Sequence, residues 1–278
     1  MPDDIARALY EREVAKRVLA LREDLVRHDE NQKADTLLSE CVPYYLLDHP
    51  AMQQAQKEQR EMVAHLHDDA AYRDYYANNV HERPFEEQYG CEVEDAHELL
   101  PRIAWLRTHL ESQHAELGRD LYLLDLAAND GFMAANLSQL GYVTTDCVDL
   151  HPGNCELARK RRHKWTGIGE VDCADLHDWT RGRYDAVAAF EVLEHVPDPE
   201  RTMRVLARHV NDSGYAYVST PNGAVERGNV PDWAKIEPKG HVRALRADDL
   251  QALCEGIGSV EELSCGPDGV LVAKVAPR

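Results

Sequence analysis

The sequence predicts an α/β fold in which a doubly wound, mostly parallel sheet follows a helical N-terminal region. Three observations carry that expectation. From Asp120 onward, apolar runs of strand length alternate with segments of helical spacing. The first run passes through a turn of small residues, Ala127-Ala128-Asn129-Asp130-Gly131, straight into a helix at Phe132. The last two runs are joined by Gly266-Pro267-Asp268-Gly269, a hairpin-like turn.

In the first third, Ile5, Leu9, Val14, Val18, Leu21 and Leu25 recur at helical spacing through a charged segment that ends near His28. A second helix is expected over Ala34 to Leu47, with Pro50 stopping it or starting the next, and a third, very polar one over Ala51 to Leu66. The stretch with Tyr72, Tyr75, Tyr76, His81 and Phe85 has poor periodicity and reads as irregular. Leu99, Ile103, Leu106 and Leu110 mark a helix that Gly118 can close. Residues 1–118 are therefore expected to form a helical cap, a dimerisation surface or both. The aromatic cluster in it serves either to line a substrate pocket or to pack the cap on the core.

The remainder, 119–278, is expected to be the second domain. Its strand candidates are Leu121–Asp125, Tyr142–Asp149, Gly169–Ala174, Tyr184–Glu191, Gly214–Thr220, Val260–Cys265 and Gly269–Val275. Helices fall between the first five, and Ala247–Gly256 precedes the sixth. Five α/β units followed by an antiparallel hairpin imply a largely parallel seven-stranded sheet.

Composition narrows the function classes. The 278 residues are 44% hydrophobic, enough to fill a core, and no apolar run approaches the roughly 20 residues of a membrane span. The charged start, Met1-Pro2-Asp3-Asp4, is unlike a signal peptide. Seven cysteines without CxxC spacing point to reduced thiols and a cytoplasmic setting. A net charge of −19 opposes general affinity for nucleic acid. Residues 1–118 hold 13 Lys+Arg against 25 Asp+Glu, so −12 of that charge lies in the N-terminal region, where it also serves as a solubilising surface. The one basic run, Arg159-Lys-Arg-Arg-His-Lys164, reads as a solvated helix face.

The motifs carry the chemistry. Asp125-Leu-Ala-Ala-Asn-Asp-Gly131 closes the first strand, Asp149 ends the second, and Val171-Asp172-Cys173-Ala174-Asp175-Leu176 ends the third. Tyr184-Asp-Ala-Val-Ala-Ala-Phe-Glu-Val-Leu-Glu-His-Val-Pro-Asp-Pro199 contains the fourth, and Gly214-Tyr-Ala-Tyr-Val-Ser-Thr-Pro-Asn222 the fifth. In this arrangement the chain resembles class I S-adenosylmethionine-dependent methyltransferases over roughly residues 119–277, with a Rossmann-like fold. It is similar in particular to O-methyltransferases of the ubiquinone-biosynthesis and small-RNA 2′-O types.

The resemblance implies a cofactor site made of Asp125, Ala127, Asn129, Gly131, Phe132, Asp149, Leu150, Asp172, Cys173, Phe190 and Glu191. Ala127 and Asn129 stand where two glycines are usual, and alanine permits close approach of backbone to the cofactor if its φ is negative. Asp149 would accept both ribose hydroxyls. Asp172, with Asp175 as its alternative, would receive the adenine amino group beside the Cys173 N–H.

Methyl transfer from a sulfonium needs alignment and, for a hydroxyl acceptor, a base. Glu194, His195 and His241 are the candidate catalytic residues. If a helical turn begins at Glu191, then Glu191, Glu194 and His195 share a face. The set Glu191, Glu194, His195 and His241 also resembles a metal site suited to Mg²⁺, Mn²⁺, Fe²⁺ or Zn²⁺. A metal-free histidine base is the other reading of the same residues. Trp233, His241 and the loop from Asn222 to Pro238 are expected to form a substrate lid.

The sequence thus leads to a small-molecule O-methyltransferase acting on a sugar, phenol or natural-product hydroxyl. A nucleic-acid methyltransferase and a non-catalytic scaffold of the same fold are its rivals. Homodimerisation through the N-terminal helices is the expected assembly.

Overall fold

The computed structural model describes residues 64–78, 84–86, 92–223 and 241–278, together with Lys57, Glu61 and Gly90. The helices expected over residues 5–28 and 34–47, most of 51–66, and the lid loop with Trp233 lie outside the described residues. The chain divides into two compact units, Met1–Leu66 with Arg227–Val242, and His67–Glu226 with Arg243–Arg278. The second unit carries the sheet, and the account that follows concerns it.

Helix α1 (Asp69–Asn78) covers the tyrosine cluster, where the sequence reading expected irregular chain. Local polar chemistry builds it. Asp68 Oδ1 accepts from the N–H groups of Ala70 and Ala71 at 3.0 Å, capping the first turn, and Tyr72 packs at a tilt against Tyr76 four residues on. Its apolar stripe is too narrow for a periodicity argument to find it. A short helix, α2 (Ala96–Leu99), leads to α3 (Pro101–Leu117). Pro101 starts α3 and Gly118 ends it at φ 63°, as the leucine spacing predicts.

The strands are β1 (Leu121–Leu126), β2 (Val143–Asp149), β3 (Ile168–Cys173), β4 (Tyr184–Phe190), β5 (Val210–Pro221), β6 (Gly258–Cys265) and β7 (Val270–Pro277). They form one sheet in the order β3-β2-β1-β4-β5-β7-β6. The β1–β5 pairs are parallel, while β7 runs antiparallel to both β5 and β6. This is the doubly wound, mostly parallel seven-stranded sheet that the sequence predicts. The strand order reverses beside β1, so its carboxyl edge is where a ligand crevice opens.

Helices α4 (Phe132–Leu137) and α5 (Pro152–Arg162) follow β1 and β2. Helices α6 (Pro199–His209) and α7 (Ala247–Glu255) accompany the second half. Two apolar layers cover the faces of the sheet. Ile103, Leu106 and Leu110 of α3 pack with Ala134 and Ala158 beneath β1, whereas Met203, Leu206 and Leu250 pack on the opposite face. Central β4 is buried from Tyr184 to Ala189, as a strand covered on both sides is, with its one charged residue there, Asp185, paired to Arg119.

Candidate active site

The first turn holds its shape against local preference. Ala127, Asn129 and Gly131 all have positive φ, at 59°, 51° and 76°. The sequence reading allowed for a negative φ at Ala127; the structure places it in the left-handed region, where an alanine costs about 1–2 kcal/mol. Asparagine and glycine tolerate that region better, and Gly131 also lets α5 approach, since a Cβ there would lie 3.1 Å from Ala158 Cβ. The alternation therefore reproduces a glycine-type turn with one glycine.

Two buried groups hold the turn in place. The Asn129 N–H donates to Asp149 Oδ2 at 2.8 Å. Beneath it, Asp130 is almost wholly inaccessible and accepts from the Phe85 N–H at 2.8 Å and the Phe132 N–H at 3.1 Å. Arg161 pairs with Asp130 and, through both Nη atoms, with Glu86 at 2.7 and 2.8 Å. Phe85 stacks on Phe132 with ring centroids 4.1 Å apart. So the basic run is a mixed feature. Lys160, Arg162 and Lys164 pair with surface acids, as a solvated face would, whereas Arg161 turns inward and locks the turn.

The carboxylates at the strand ends are unusual in their environment. Asp149 Oδ1 accepts from the His151 N–H at 2.9 Å and from Asn154 Nδ2 at 3.3 Å. Burial nonetheless pushes its pKa up to about 6, with these donors opposing the shift. Asp125 sits deeper at the end of β1, with Oδ2 buried and lacking a hydrogen-bond partner among the described residues. Its carboxyl is held well above the usual range by burial and then by the charge of Asp149. Leu150 is half-buried against the core behind Asp149.

At the end of β3, Asp172 Oδ2 accepts from Trp179 Nε1 at 2.8 Å and lies 3.0 Å from Arg181 Nη1. Cys173 pairs in register with Asp149, which sets its backbone beside that acid. Asp175, the alternative, points elsewhere: its carboxylate meets Arg73 of α1 at 2.8 Å and His177 at 3.2 Å. Of the two, Asp172 stands nearer to the strand edge that the motif predicts.

Beyond β4 the chain makes the sharpest departure from the sequence reading. Phe190 ends the strand half-buried, and Glu191 takes φ 56°, so the helical turn starts one residue later. Its hydrogen bonds are His195 N–H to Val192 carbonyl at 3.0 Å and Val196 N–H to the same carbonyl at 3.3 Å. Glu191 therefore shares no helical face with Glu194 and His195. Ser219 Oγ donates to Glu191 Oε1 at 2.8 Å, and Thr220 Oγ1 donates to the buried Glu194 Oε2 at 2.9 Å. Glu194 Oε1 faces His195 Nε2 at 3.8 Å. His195 Nδ1 in turn meets Tyr76 Oη at 2.7 Å. Arg243 holds the turn from outside, donating to the carbonyls of Leu193, Val196 and Pro197 at 3.2, 2.5 and 2.7 Å. His241 belongs to the other unit.

Tyr76 was read only as part of the aromatic cluster, lining a pocket or packing the cap, and Ser219, Thr220 and Arg243 were given no role of their own. The first three left a signal: Tyr72 and Tyr76 stand four apart, and Ser219-Thr220 ends the fifth strand directly before Pro221. Arg243 left none.

A strand-edge crevice with a left-handed first turn, an acid at the end of β2 and a carboxylate–imidazole pair after β4 is the geometry on which the comparisons bear. The "Methyltransferase domain" family model matches residues 89–259. The chain belongs to that methyltransferase family. This methyltransferase is 31% identical over 193 residues to the ubiquinone biosynthesis O-methyltransferase of Methylocella silvestris, a match covering 57% of this chain and 74% of that protein. It is 32% identical over 139 residues to the protein of that name from Pectobacterium atrosepticum, covering 47% and 55% of the two chains. Among solved structures, the fold is shared with the plantazolicin methyltransferase in complex with SAH (TM-score 0.53, 12% identity, 81% and 100% of the two chains covered). It is likewise shared with the Synechocystis magnesium protoporphyrin IX methyltransferase with bound SAH (TM-score 0.51, 13% identity, 76% and 100%).

The chain is an S-adenosylmethionine-dependent methyltransferase, and its own residues fit that cofactor. Asp149 Oδ2 takes one N–H bond and the Asn154 contact on Oδ1 is long, at 3.3 Å, so the carboxylate keeps capacity for further donors. The orphaned Asp125 oxygen suits a donor or cation brought in by the ligand. Among the described residues, no helix is long and apolar enough to cross a membrane.

Proposed function

We propose that this methyltransferase acts on a hydroxyl of a small molecule, a phenol, sugar or natural-product intermediate, and that Glu194 and His195 manage the proton the hydroxyl loses. The observation that carries the reading is the 3.8 Å gap between Glu194 Oε1 and His195 Nε2. A hydroxyl oxygen can lie within hydrogen-bond distance of both atoms at that spacing. Thr220 on β5 holds the Glu194 carboxylate and Tyr76 holds His195 at Nδ1, so the pair is preorganised before any acceptor arrives. The O-methyltransferase names of the curated relatives support oxygen as the acceptor atom.

The cofactor supplies an activated methyl group on a sulfonium. The chain's residues align it: Asp149 and the Asn129 turn take the ribose, Asp172 and Cys173 the adenine, and Phe190 and Glu191 border the methionine part. His195 takes the acceptor's proton as the new O–CH₃ bond forms, leaving a methyl ether, S-adenosylhomocysteine and an imidazolium. Atoms and charge balance without an oxidant.

The same donors suit a divalent cation. Two ligand atoms at about 2.1 Å from one ion lie at most about 4.2 Å apart, so the Glu194–His195 spacing is compatible. Glu194 and His195 are residues of this unit that would hold Mg²⁺, Mn²⁺, Fe²⁺ or Zn²⁺, which would acidify the acceptor hydroxyl; Glu191, turned to Ser219, does not join them. The described cysteines, Cys147, Cys155, Cys173, Cys254 and Cys265, are free thiols, which supports a reducing, cytoplasmic setting.

The deciding experiment offers S-adenosylmethionine carrying a labelled methyl group to panels of phenols, catechols, sugars and short RNAs. It runs on metal-stripped protein, on protein resupplied with each cation, and on the Glu194→Ala/His195→Ala variant. Label in a methyl ether that is lost in the variant supports the reading. Label in RNA favours the nucleic-acid alternative, and failure to bind the cofactor in calorimetry favours a scaffold.

A further inference from the structure

We propose that Cys173 and Cys155 form an oxidation site on the rim of the cofactor crevice. A peroxide oxidises the exposed Cys173 thiol, Cys155 closes a disulfide onto it, and bound cofactor shields the pair. The shielding rests on the reading that puts the adenine beside Cys173, whereas the thiol pair stands on its own geometry.

The two residues reach one spot from different elements. Cys173 is the last residue of β3 and lies in register with Asp149 at the end of β2. Cys155 stands near the start of α5, in the apolar layer that covers these strands. Its Sγ is 3.4 Å from the Asp149 carbonyl oxygen and 3.9 Å from that of Asp172. The Asp149 carbonyl accepts from the Ala174 N–H at 2.9 Å, and Asp172 precedes Cys173 in the chain. The Cys155 sulfur therefore lies against the backbone on both sides of Cys173. In the other direction, the Cys173 Sγ is 3.8 Å from the carbonyl oxygen of Leu150, the residue after Asp149. The thiols meet there. Burial, followed by the contact with the Cys173 thiol, holds the Cys155 pKa well above the ordinary thiol range.

Exposure divides the roles. Cys155 has no accessible surface, whereas Cys173 is exposed, so a dissolved oxidant reaches Cys173 first. The peroxide transfers one oxygen to the Cys173 sulfur and leaves as an alcohol or water, giving a sulfenic acid. The Cys155 sulfur then attacks the Cys173 sulfur, the S–O bond breaks, and hydroxide departs with the Cys155 proton as water. Two electrons pass from the two thiols to the peroxide, and a dithiol returns them by exchange. An accessible thiol beside a resolving one is the arrangement of a reversible oxidation site. Without the resolving partner, the sulfenic acid stays open to further oxidation.

The test treats apo protein with a small excess of hydrogen peroxide, with and without dimedone, and maps its peptides by mass spectrometry. The expected products are a Cys155–Cys173 cross-linked peptide that dithiothreitol removes and an early dimedone adduct on Cys173. In Cys155→Ser the cross-link is expected to vanish and Cys173 to advance to the sulfinic acid. The wild-type map decides the pairing whatever that variant's stability. No cross-link, or Cys173 sulfinic acid in the wild type with Cys155 untouched, overturns the pair. The shield is read from the rate of N-ethylmaleimide labelling, with Cys265 as internal reference, exposed at the end of β6 on the opposite edge of the sheet. S-adenosylhomocysteine at about ten times its calorimetric Kd should slow labelling of Cys173 about tenfold, since only free protein reacts, and change that of Cys265 less than about twofold. The two readings fail separately. A Cys173 rate unchanged by bound S-adenosylhomocysteine removes the shield and the adenine placement and leaves the pair. A slowed rate without a cross-link removes the pair and leaves the adenine placement.

Discussion

On the proposed ribose role, Asp149 should weaken cofactor binding as pH falls through about 6, a range in which ordinary carboxylates stay ionised. Its folded pKa of about 6 compares with an ordinary value of 3.8, so ionising it inside the folded protein costs about 3 kcal/mol more than in water. The sign follows from proton counting. Between these two pKa values the folded state holds the proton and the unfolded chain does not. The group's stabilising contribution is therefore complete below the unfolded value and lost as pH rises through about 6.

Ribose hydroxyls on Asp149 would reverse the balance, because they would donate to the carboxylate and so bind the ionised form. At pH 7 about nine-tenths of the apo sites are ionised; at pH 5 about one-tenth are. The Kd for S-adenosylmethionine should thus rise about tenfold from pH 7 to pH 5. Over the same interval the apo protein should gain about 1.3 kcal/mol from this group. Calorimetry at closely spaced pH values, paired with urea unfolding of apo protein, measures both trends. Asp149→Asn should bind more weakly at pH 7 and show a flat profile. A wild-type Kd constant within twofold from pH 5 to 7 would refute the reasoning. A slope that persists in Asp149→Asn would assign it to another group, with Asp125 the first candidate.

Three further outcomes follow from the scaffold. Asp130→Ala strips two backbone N–H groups and Arg161 of their shared acceptor, and should lower urea stability by about 3 kcal/mol; a loss below about 1 kcal/mol would show that Glu86 alone satisfies Arg161. Ala127→Gly relieves a left-handed alanine worth about 1–2 kcal/mol and gives back about 0.4–1 in unfolded-chain entropy. It should leave the protein equally or slightly more stable with cofactor affinity retained, and a clear destabilisation would mean the methyl group is needed for packing. Arg243→Met removes donors from three carbonyls of the Glu194–His195 turn. Turnover should fall more than about tenfold while cofactor Kd changes less than about twofold, since misplacing reacting groups by about 1 Å is that costly. Equal losses in both would place Arg243 in general folding instead.

How far the sequence could be read depends on whether the relevant signal is local. The β1–β5 strands and α3 were legible because each combines an apolar pattern with its own punctuation, as Leu99 to Leu110 does with Gly118. Helix α1 was not, because its stability comes from an Asp68 cap and from ion pairs to Asp175, Asp178 and Arg201, residues more than a hundred positions away. In the site, Asp149 announced itself by ending a strand. By contrast, the left-handed Glu191 that displaces the helical turn is fixed by Ser219 on the next strand, a tertiary constraint no spacing rule contains.

Ala127 is the most instructive position. Counting glycines treats the first turn as a matter of residue preference, and on that count Ala127 and Asn129 weaken it. The structure shows the preference overridden: the Asn129 N–H is bound by Asp149, and the Asp130 side chain is clamped by Arg161 and the Phe85 and Phe132 N–H groups. A clamp worth about 3 kcal/mol can hold an alanine that costs about 1–2. Glycine in such a turn is then one means of reaching the geometry, and a buried acid on each side is another. A sequence that lacks the glycines is better tested by asking whether it supplies the acids.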